Sequence, residues 1–464
     1  MAYQSINPFN GELLRTFDPL TDAQLESALA QADRTFQRTW AKAPLANRAR
    51  IVSRAASLML ERKESLARLA GLEMGKRISE GRQEVELSAA ILQYFADHAE
   101  AFLAPQPVDT AVGDAHVEFS PLGVLVGVQP WNFPYYQLAR FVAPNLMAGN
   151  VLLVKHSSSV PQCALAFEQL FTDAGAPPGV YTNLFASSDQ VARLLDDPRT
   201  KGVALTGSEQ AGASLASRAG RNLKRSTMEL GGSDAFIVLE DCDLEFAVEM
   251  AVLGRIGNVG QTCIGAKRFI VVGQQRAERF LEAFGRALAQ LTPGDPLDER
   301  TTLGPLSSES ALNLLLEQVR EAVAHGARVF TGGDRIRRRG AFMQPTILTD
   351  VKPDNPAFRQ EFFGPVALFF PAKDEEEAIA IANDSPFGLG GSVYTSDAEH
   401  GKRVASRIES GMVFVNYPFI SAPELPFGGI KRSGYGKELS NLGIQEFVNR
   451  KLVCVATSAS LLAA

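Results

Sequence analysis

The sequence predicts an α/β protein with parallel sheets divided between two principal domains. Three observations predict it. Short apolar runs closed by glycine or proline alternate with helical stretches. The same alternation resumes after Glu229. A chain of 464 residues is long enough for two or three core-building domains.

From residue 22 to 98 the pattern is mostly helical, with Ile51, Ala55, Leu58 and Leu66 among the apolar positions three and four apart. "PLGVLVGVQP" (121–130) then reads as a buried strand stopped by proline, and a helical run follows to about residue 145. "NVLLVK" (150–155) is a second buried strand, and "QCALAFEQLFTDAG" (162–175) an amphipathic helix with a glycine stop. "GVALTG" (202–207) and "SEQAGASLASRAG" (208–220) make a third strand–helix pair. Beyond "MELGGSD" (228–234), whose paired glycines suit a domain boundary, "AFIVL", "RFIVV", "VALFF", "GGSVYT" and "GMVFVN" read as strands of a second α/β domain of about 200 residues. No short repeat or low-complexity segment is visible, and the tail "ATSASLLAA" is expected to be mobile.

Composition narrows the function. The chain is 45% hydrophobic and 21% charged, with a net charge of -6, which argues against a general nucleic-acid binder. No apolar run approaches the roughly 18 residues of a membrane span, and the N-terminus lacks the basic and apolar regions of a signal peptide. A cytoplasmic protein is expected. The four cysteines are scattered, with no C-x-x-C pair, and the five histidines show no H-E-x-x-H spacing. Disulfide frameworks and zinc sites therefore have little support.

"LTGSEQAG" (205–212) follows a strand and opens a helix, placing Gly207 and Ser208 where free N–H groups can meet a phosphate. It is neither G-x-G-x-x-G nor a P-loop, and alone it reads equally as a tight turn. Its place in a βαβ series favours a nucleotide. Lys155 ends a strand at the same sheet edge, as a ribose or phosphate ligand or a solvated lysine. In "QEFFGPV" (360–366), Glu361 could take two ribose hydroxyls and Phe363 could pack on a nicotinamide.

Cys263, in "NVGQTCIGAKRF", by itself reads more readily as a core thiol than as a nucleophile. Two segments shift the balance. Glu229 is a carboxylate within the apolar run "MELGG", costly to bury unless it works or is paired. Asn132, in "QPWNFPYY", is a side-chain amide able to donate to a developing oxyanion. A thiol, a base and an oxyanion donor on a nucleotide fold point to aldehyde oxidation through a thioester.

With these motifs in place the chain resembles the aldehyde dehydrogenase superfamily. "PWNFP", "KH" after "VLLV", "TGSEQAG", "ELGG", "GQTC", "EFFGP" and "PFGGIKRSGYGKE" follow that family's order and spacing across the whole chain. Within the family it looks most like bacterial succinate-semialdehyde dehydrogenases. The resemblance implies a Rossmann-like cofactor domain (1–103 and 123–231), an α/β catalytic domain (232–432) and a small β oligomerisation extension with the C-terminal tail (104–122 and 433–464). It implies Cys263 as nucleophile, Glu229 as the base that activates the deacylating water, and Asn132 as oxyanion donor with the Cys263 N–H. Trp131, Lys155, Ser158, Gly207, Ser208, Glu361 and Phe363 match cofactor contacts, the cofactor being NAD or NADP. Dimers or tetramers are the family norm.

Three positions depart from the pattern. Ser158 stands where many NAD-preferring relatives carry an acid, so NADP is expected to be accepted. Arg140, on the helix after "PWNFP", matches an arginine that can meet a substrate carboxylate, or else pairs with a structural acid. A second arginine of that clamp is replaced by Gly257, with Arg255 two residues earlier. Gly265 replaces a second cysteine, which removes one redox switch. Phe133, Ser421 and Phe427 complete the expected substrate pocket. The expected reaction is oxidation of succinate semialdehyde to succinate, with a broad aliphatic or aromatic aldehyde dehydrogenase as the alternative.

Overall fold

The computed structural model describes residues 3–456. Of the expected mobile tail, 456–464, Ala456 closes the strand Val448–Ala456 and the rest lies outside the described residues.

The first sheet has six strands in the order Gly434–Tyr435, Arg225–Glu229, Thr200–Thr206, Val124–Gln129, Val151–His156 and Tyr181–Asn183. All its pairings are parallel except the first. Its central residues, Leu125, Leu152 and Val203 among them, are buried, as unbroken apolar runs of parallel strands should be. The helix Tyr136–Ala148 packs so closely on it that a Cβ at Gly127 would lie 2.5 Å from the Phe141 ring. That helix ends at Gly149, whose φ of 99° supplies the left-handed cap. The chain order reverses at Val124–Gln129, which has Val151–His156 on one side and Thr200–Thr206 on the other. Ligands of open α/β sheets sit at the carboxyl edge of such a switch point.

The second sheet has seven strands in the order Arg328–Thr331, Thr346–Thr349, Val366–Ala372, Ala266–Val272, Asp234–Val238, Gly391–Tyr394 and Phe414–Val415. It has its own core around Phe236, Ile270 and Leu368. The two sheets meet end to end in chemistry. Arg225–Glu229 finishes at the carboxyl edge of the first, and after four intervening residues Asp234–Val238 enters the second beside Ala266–Val272. Cys263 precedes that last strand, so carboxyl ends of one sheet face amino ends of the other around it.

A three-stranded antiparallel arm joins Val448–Ala456, Gly113–Pro121 and Gln106–Pro107, with Val448 opposite Pro121 and Ala456 opposite Gly113. Sequence reasoning overlooked the hairpin Tyr3–Asn7 with Glu12–Phe17, because its alternation is too short to register.

Candidate active site

Cys263 sits half-buried in the wall of a cavity of about 1030 Å³. Thr262, Ile264, Phe133, Tyr136, Phe419 and Ser421 are among its lining, which is largely apolar. Burial pushes the thiol up to about 11, opposed by the cations of Arg140 and Lys267.

The turn before Cys263 is unusual. Asn258, Val259 and Gly260 all have φ between 53° and 74°, a left-handed run that β-branched Val259 adopts only under constraint. The constraint is visible. Arg255, fully buried, donates to the carbonyls of Gly260 and Ala266, each at 2.7 Å. The Asn258 amide donates to the carbonyls of Asn132 (2.8 Å) and Gln261 (3.1 Å). Asn132 Nδ2 also donates to the Gln261 carbonyl, at 3.1 Å. The segments bearing Asn132 and Cys263 are thus tied together. Arg255 is spent on this turn and cannot serve as a displaced substrate arginine.

The loop bearing Asn132 has a second anchor that the sequence did not signal. Buried Lys76 and Glu84 form an ion pair, and Glu84 Oε1 accepts from the backbone N–H of Tyr135 (2.8 Å) and Tyr136 (3.1 Å) at the helix start. The Lys76 ammonium lies 3.6 Å from the centre of the Phe133 ring.

Glu229 ends its strand buried, with neither carboxyl oxygen hydrogen-bonded among the described residues. Burial, and then the neighbouring Glu438, push it well above the usual carboxylate range, while Arg140 pulls it down. Glu229 does not line the cavity; Arg140 is close enough to feel the charge of both Glu229 and Cys263.

Arg140 itself corrects the expectation of a substrate arginine in the pocket wall. It is fully buried, with Nε 2.5 Å from Glu438 and Nη1 donating to the Tyr136 hydroxyl at 3.2 Å. Its guanidinium covers the Phe427 ring at 4.0 Å. Tyr136 and Phe427 line the cavity; Arg140 stands behind them because Glu438 holds it there. The Tyr136 hydroxyl lies 2.5 Å from Ser421 Oγ, so a chain of polar groups runs from Arg140 to the cavity surface.

The other group of expected residues collects at the carboxyl edge of the first sheet. Ser208 caps the helix Glu209–Arg221, accepting from Ala211 N–H. A Cβ at Gly207 would meet only the Leu205 side chain, at 3.6 Å, so neither packing nor backbone strain requires glycine there, whereas close approach of a ligand would. Lys155 is half-buried, is lowered by that burial, and has no carboxylate partner among the described residues. The Ser158 hydroxyl makes no hydrogen bond among the described residues, and no acid stands at that position. Trp131 and Phe363 meet edge to face, ring centres 5.8 Å apart. Glu361 lies against Gly231 and Gly232, accepting from Gly232 N–H at 3.1 Å. A cation without a carboxylate partner among the described residues, a serine hydroxyl, a capped helix N-terminus and an open glycine fit a dinucleotide phosphate and ribose.

His156 is buried in the first sheet. Its Nε2 meets the Pro134 carbonyl at 2.9 Å, and burial lowers it to about 4.

Comparison with known proteins agrees with this architecture. The chain belongs to the aldehyde dehydrogenase family, whose model matches residues 1–453. It is 50% identical over 451 residues to a succinate-semialdehyde dehydrogenase (NADP+) of Deinococcus radiodurans, covering 97% of this chain and 94% of that one. It is 45% identical over 456 residues to a probable succinate-semialdehyde dehydrogenase (NADP+) of Synechocystis, covering 98% and 100%. Its fold superposes, with a TM-score of 0.97 and 44% identity, on the succinic semialdehyde dehydrogenase of Streptococcus pyogenes in complex with NADP+, over 98% of this chain and 100% of that one.

Proposed function

We propose that the protein oxidises succinate semialdehyde to succinate with NAD(P), accepting NADP, through a thioester on Cys263. The observation that carries this reading is the polar chain Arg140–Tyr136–Ser421, which reaches the cavity holding the thiol. It offers a substrate carboxylate two hydroxyls backed by a buried cation.

The Cys263 thiolate adds to the aldehyde carbon. The oxyanion so formed takes a hydrogen bond from Asn132, whose amide has one hydrogen engaged by Gln261 and one remaining. A bound nicotinamide would supply a hydride acceptor for that carbon, and loss of the hydride leaves a thioester on the Cys263 sulfur. Glu229, once ionised, takes the proton of the attacking water, and the acid departs as Cys263 recovers its thiolate. Phe133, Ser421 and Phe427 shape the substrate end. Lys155, Ser158, Gly207 and Ser208 would hold the phosphates and adenosine ribose, and Trp131, Glu361 and Phe363 the nicotinamide end.

The cofactor domain is 1–103 and 123–231, carrying five strands of the first sheet, and the catalytic domain is 232–432, carrying the second; the sixth strand of the first sheet, Gly434–Tyr435, comes from the C-terminal segment. The arm in 104–122 and 433–464 mediates a homodimer or homotetramer; exposed Leu452 and Val455 on it support that role. Four unpaired cysteines, one needed as a free thiol, suit the cytoplasm. No described helix is long and apolar enough to cross a membrane.

The size and apolarity of the cavity favour a second reading, a broad-specificity aldehyde dehydrogenase. Absorbance of reduced cofactor, with succinate semialdehyde, butyraldehyde and benzaldehyde each offered with NAD and NADP, separates the two. A clear lead in kcat/KM for succinate semialdehyde supports the first; parity with butyraldehyde overturns it. Silence of Cys263→Ala tests the thiol.

A further inference from the structure

Lys267 is a fully buried lysine that the mechanism above leaves without a task. It lies in Ala266–Val272, four residues beyond Cys263. Its ammonium donates to the carbonyls of Thr262 (2.9 Å), Cys263 (2.9 Å) and Gly265 (3.1 Å). Those three bonds use all the donors a lysine has. Its charge is met by Glu361 Oε1, at 3.3 Å. One side chain therefore grips the turn that carries the thiol and faces the Glu361 carboxylate.

We infer that Lys267 is a positioning residue that couples ligand capture by Glu361 to the reactivity of the Cys263 thiol. The inference rests on the proposed reading of Glu361 as a ribose-diol ligand. While Glu361 faces Lys267, its negative charge offsets the ammonium beside the thiol. A diol that draws the carboxylate away leaves that ammonium uncompensated, and a nearby positive charge favours thiolate. Because the ammonium also holds the Cys263 carbonyl, the turn keeps its place while the charge balance changes.

Other charges act on the same groups. Cys263 faces Arg140 from the helix Tyr136–Ala148 and Asp234 from the neighbouring strand, besides Lys267 and Glu361. Buried Tyr136 also senses it. Lys267 further faces Arg255. Of these, Glu361 is the group placed to meet a ligand at the cofactor end.

The test is alkylation of Cys263 by iodoacetamide, in which thiolate sulfur displaces iodide from carbon, followed by peptide mass at neutral pH with and without ADP-ribose. That probe carries the ribose diols but no nicotinamide to accept hydride or shield the thiol. Calorimetry reports its binding separately. Wild type is expected to react about tenfold faster with ADP-ribose bound, equivalent to about one pKa unit. Glu361→Gln is expected to react about that much faster without ligand and to gain nothing further. Lys267→Met is expected to react more slowly and to gain less than about twofold, whereas Lys267→Arg keeps most of the gain. Bound ADP-ribose without a rate change in wild type, or the full gain in Lys267→Met, overturns the inference. If ADP-ribose does not bind, the cofactor reading itself fails. The unliganded variants then still decide: a fast Glu361→Gln with a slow Lys267→Met sustains the coupling, and two unchanged rates overturn it.

Discussion

Asn132 and Asn258 are locked to each other through the backbone of the thiol turn. Asn258 donates to the Asn132 carbonyl at 2.8 Å, and both side-chain amides donate to the carbonyl of Gln261, each at 3.1 Å. An oxyanion donor works only if it is held where charge will develop, before the charge arrives. Asn132→Ala is therefore expected to slow acylation by two to three decades, the loss of one donor being about 3–4 kcal/mol. Asn258→Ala keeps the donor but releases its support, and about tenfold loss in kcat is expected with little change in KM. Single-turnover formation of reduced cofactor measures both. Equal rates for Asn258→Ala and wild type would remove Asn258 from the account.

Glu229 carries a pH signature. Burial raises its carboxyl well above the ordinary range, so in the resting protein the protonated form persists to higher pH than for a surface glutamate. A base must be ionised to act. Deacylation should fall as pH drops through that raised range, above the usual carboxylate values of about 4 to 5. Glu229→Gln should give one burst of reduced cofactor per site and then stall, because the thioester forms but water is not activated. Stopped-flow absorbance across pH tests this; a Glu229→Gln enzyme that turns over at the wild-type rate would falsify the assignment.

Much of this was legible in the sequence because buried parallel strands announce themselves. "VLLV", "GVALTG" and "RFIVV" are mostly apolar on both faces, the first running into Lys155 and the other two into glycine, so strands and sheet edges could be placed, and Gly207 and Lys155 with them. The partnership of Asn132 with Cys263 came from motif spacing, since 131 residues separate them (263 − 132) and no local periodicity reports a contact of that range. The supporting residues were missed for a physical reason. Lys76, Glu84 and Lys267 are charges buried in apolar surroundings, and a lone charge in a sequence reads as surface until its partner is seen. The signal for Asn258 was present: asparagine and two glycines flanking valine just before the thiol favour left-handed backbone. Arg140 shows the limit. The sequence left open a substrate contact or a structural pair, and only Glu438, 298 positions away (438 − 140), places its guanidinium behind the wall.

Removing Arg140 has two separable consequences. Glu438 is left buried without its partner, which typically costs about 3–5 kcal/mol. Arg140→Gln should thus lower the urea midpoint, and Glu438→Gln in the same chain should recover part of that loss. The cation behind Tyr136 and Ser421 is also gone. The advantage of succinate semialdehyde over butyraldehyde in kcat/KM should shrink by about tenfold, a loss near 1.4 kcal/mol, in both the single and the double variant. If stability falls but the ratio of the two substrates does not move, Arg140 is a structural residue alone and the carboxylate is recognised elsewhere.

Cofactor choice turns on Ser158. Among the described residues Lys155 has no carboxylate partner, the Ser158 hydroxyl makes no hydrogen bond, and the residue three after Lys155 is not an acid, so that position carries no charge to repel a 2′-phosphate. A carboxylate at that position would act in two ways. It would take the ribose hydroxyls of NAD, and it would oppose a dianionic phosphate at contact distance, where like charges cost on the order of several kcal/mol. Ser158→Glu is expected to raise the KM for NADP by about two decades while changing that for NAD by less than about fivefold. Competition calorimetry with 2′-phospho-ADP-ribose and ADP-ribose measures the same difference without turnover. Equal loss of both ligands would mean that the substitution merely disturbs the loop, and unchanged binding of both would mean that other residues choose the cofactor.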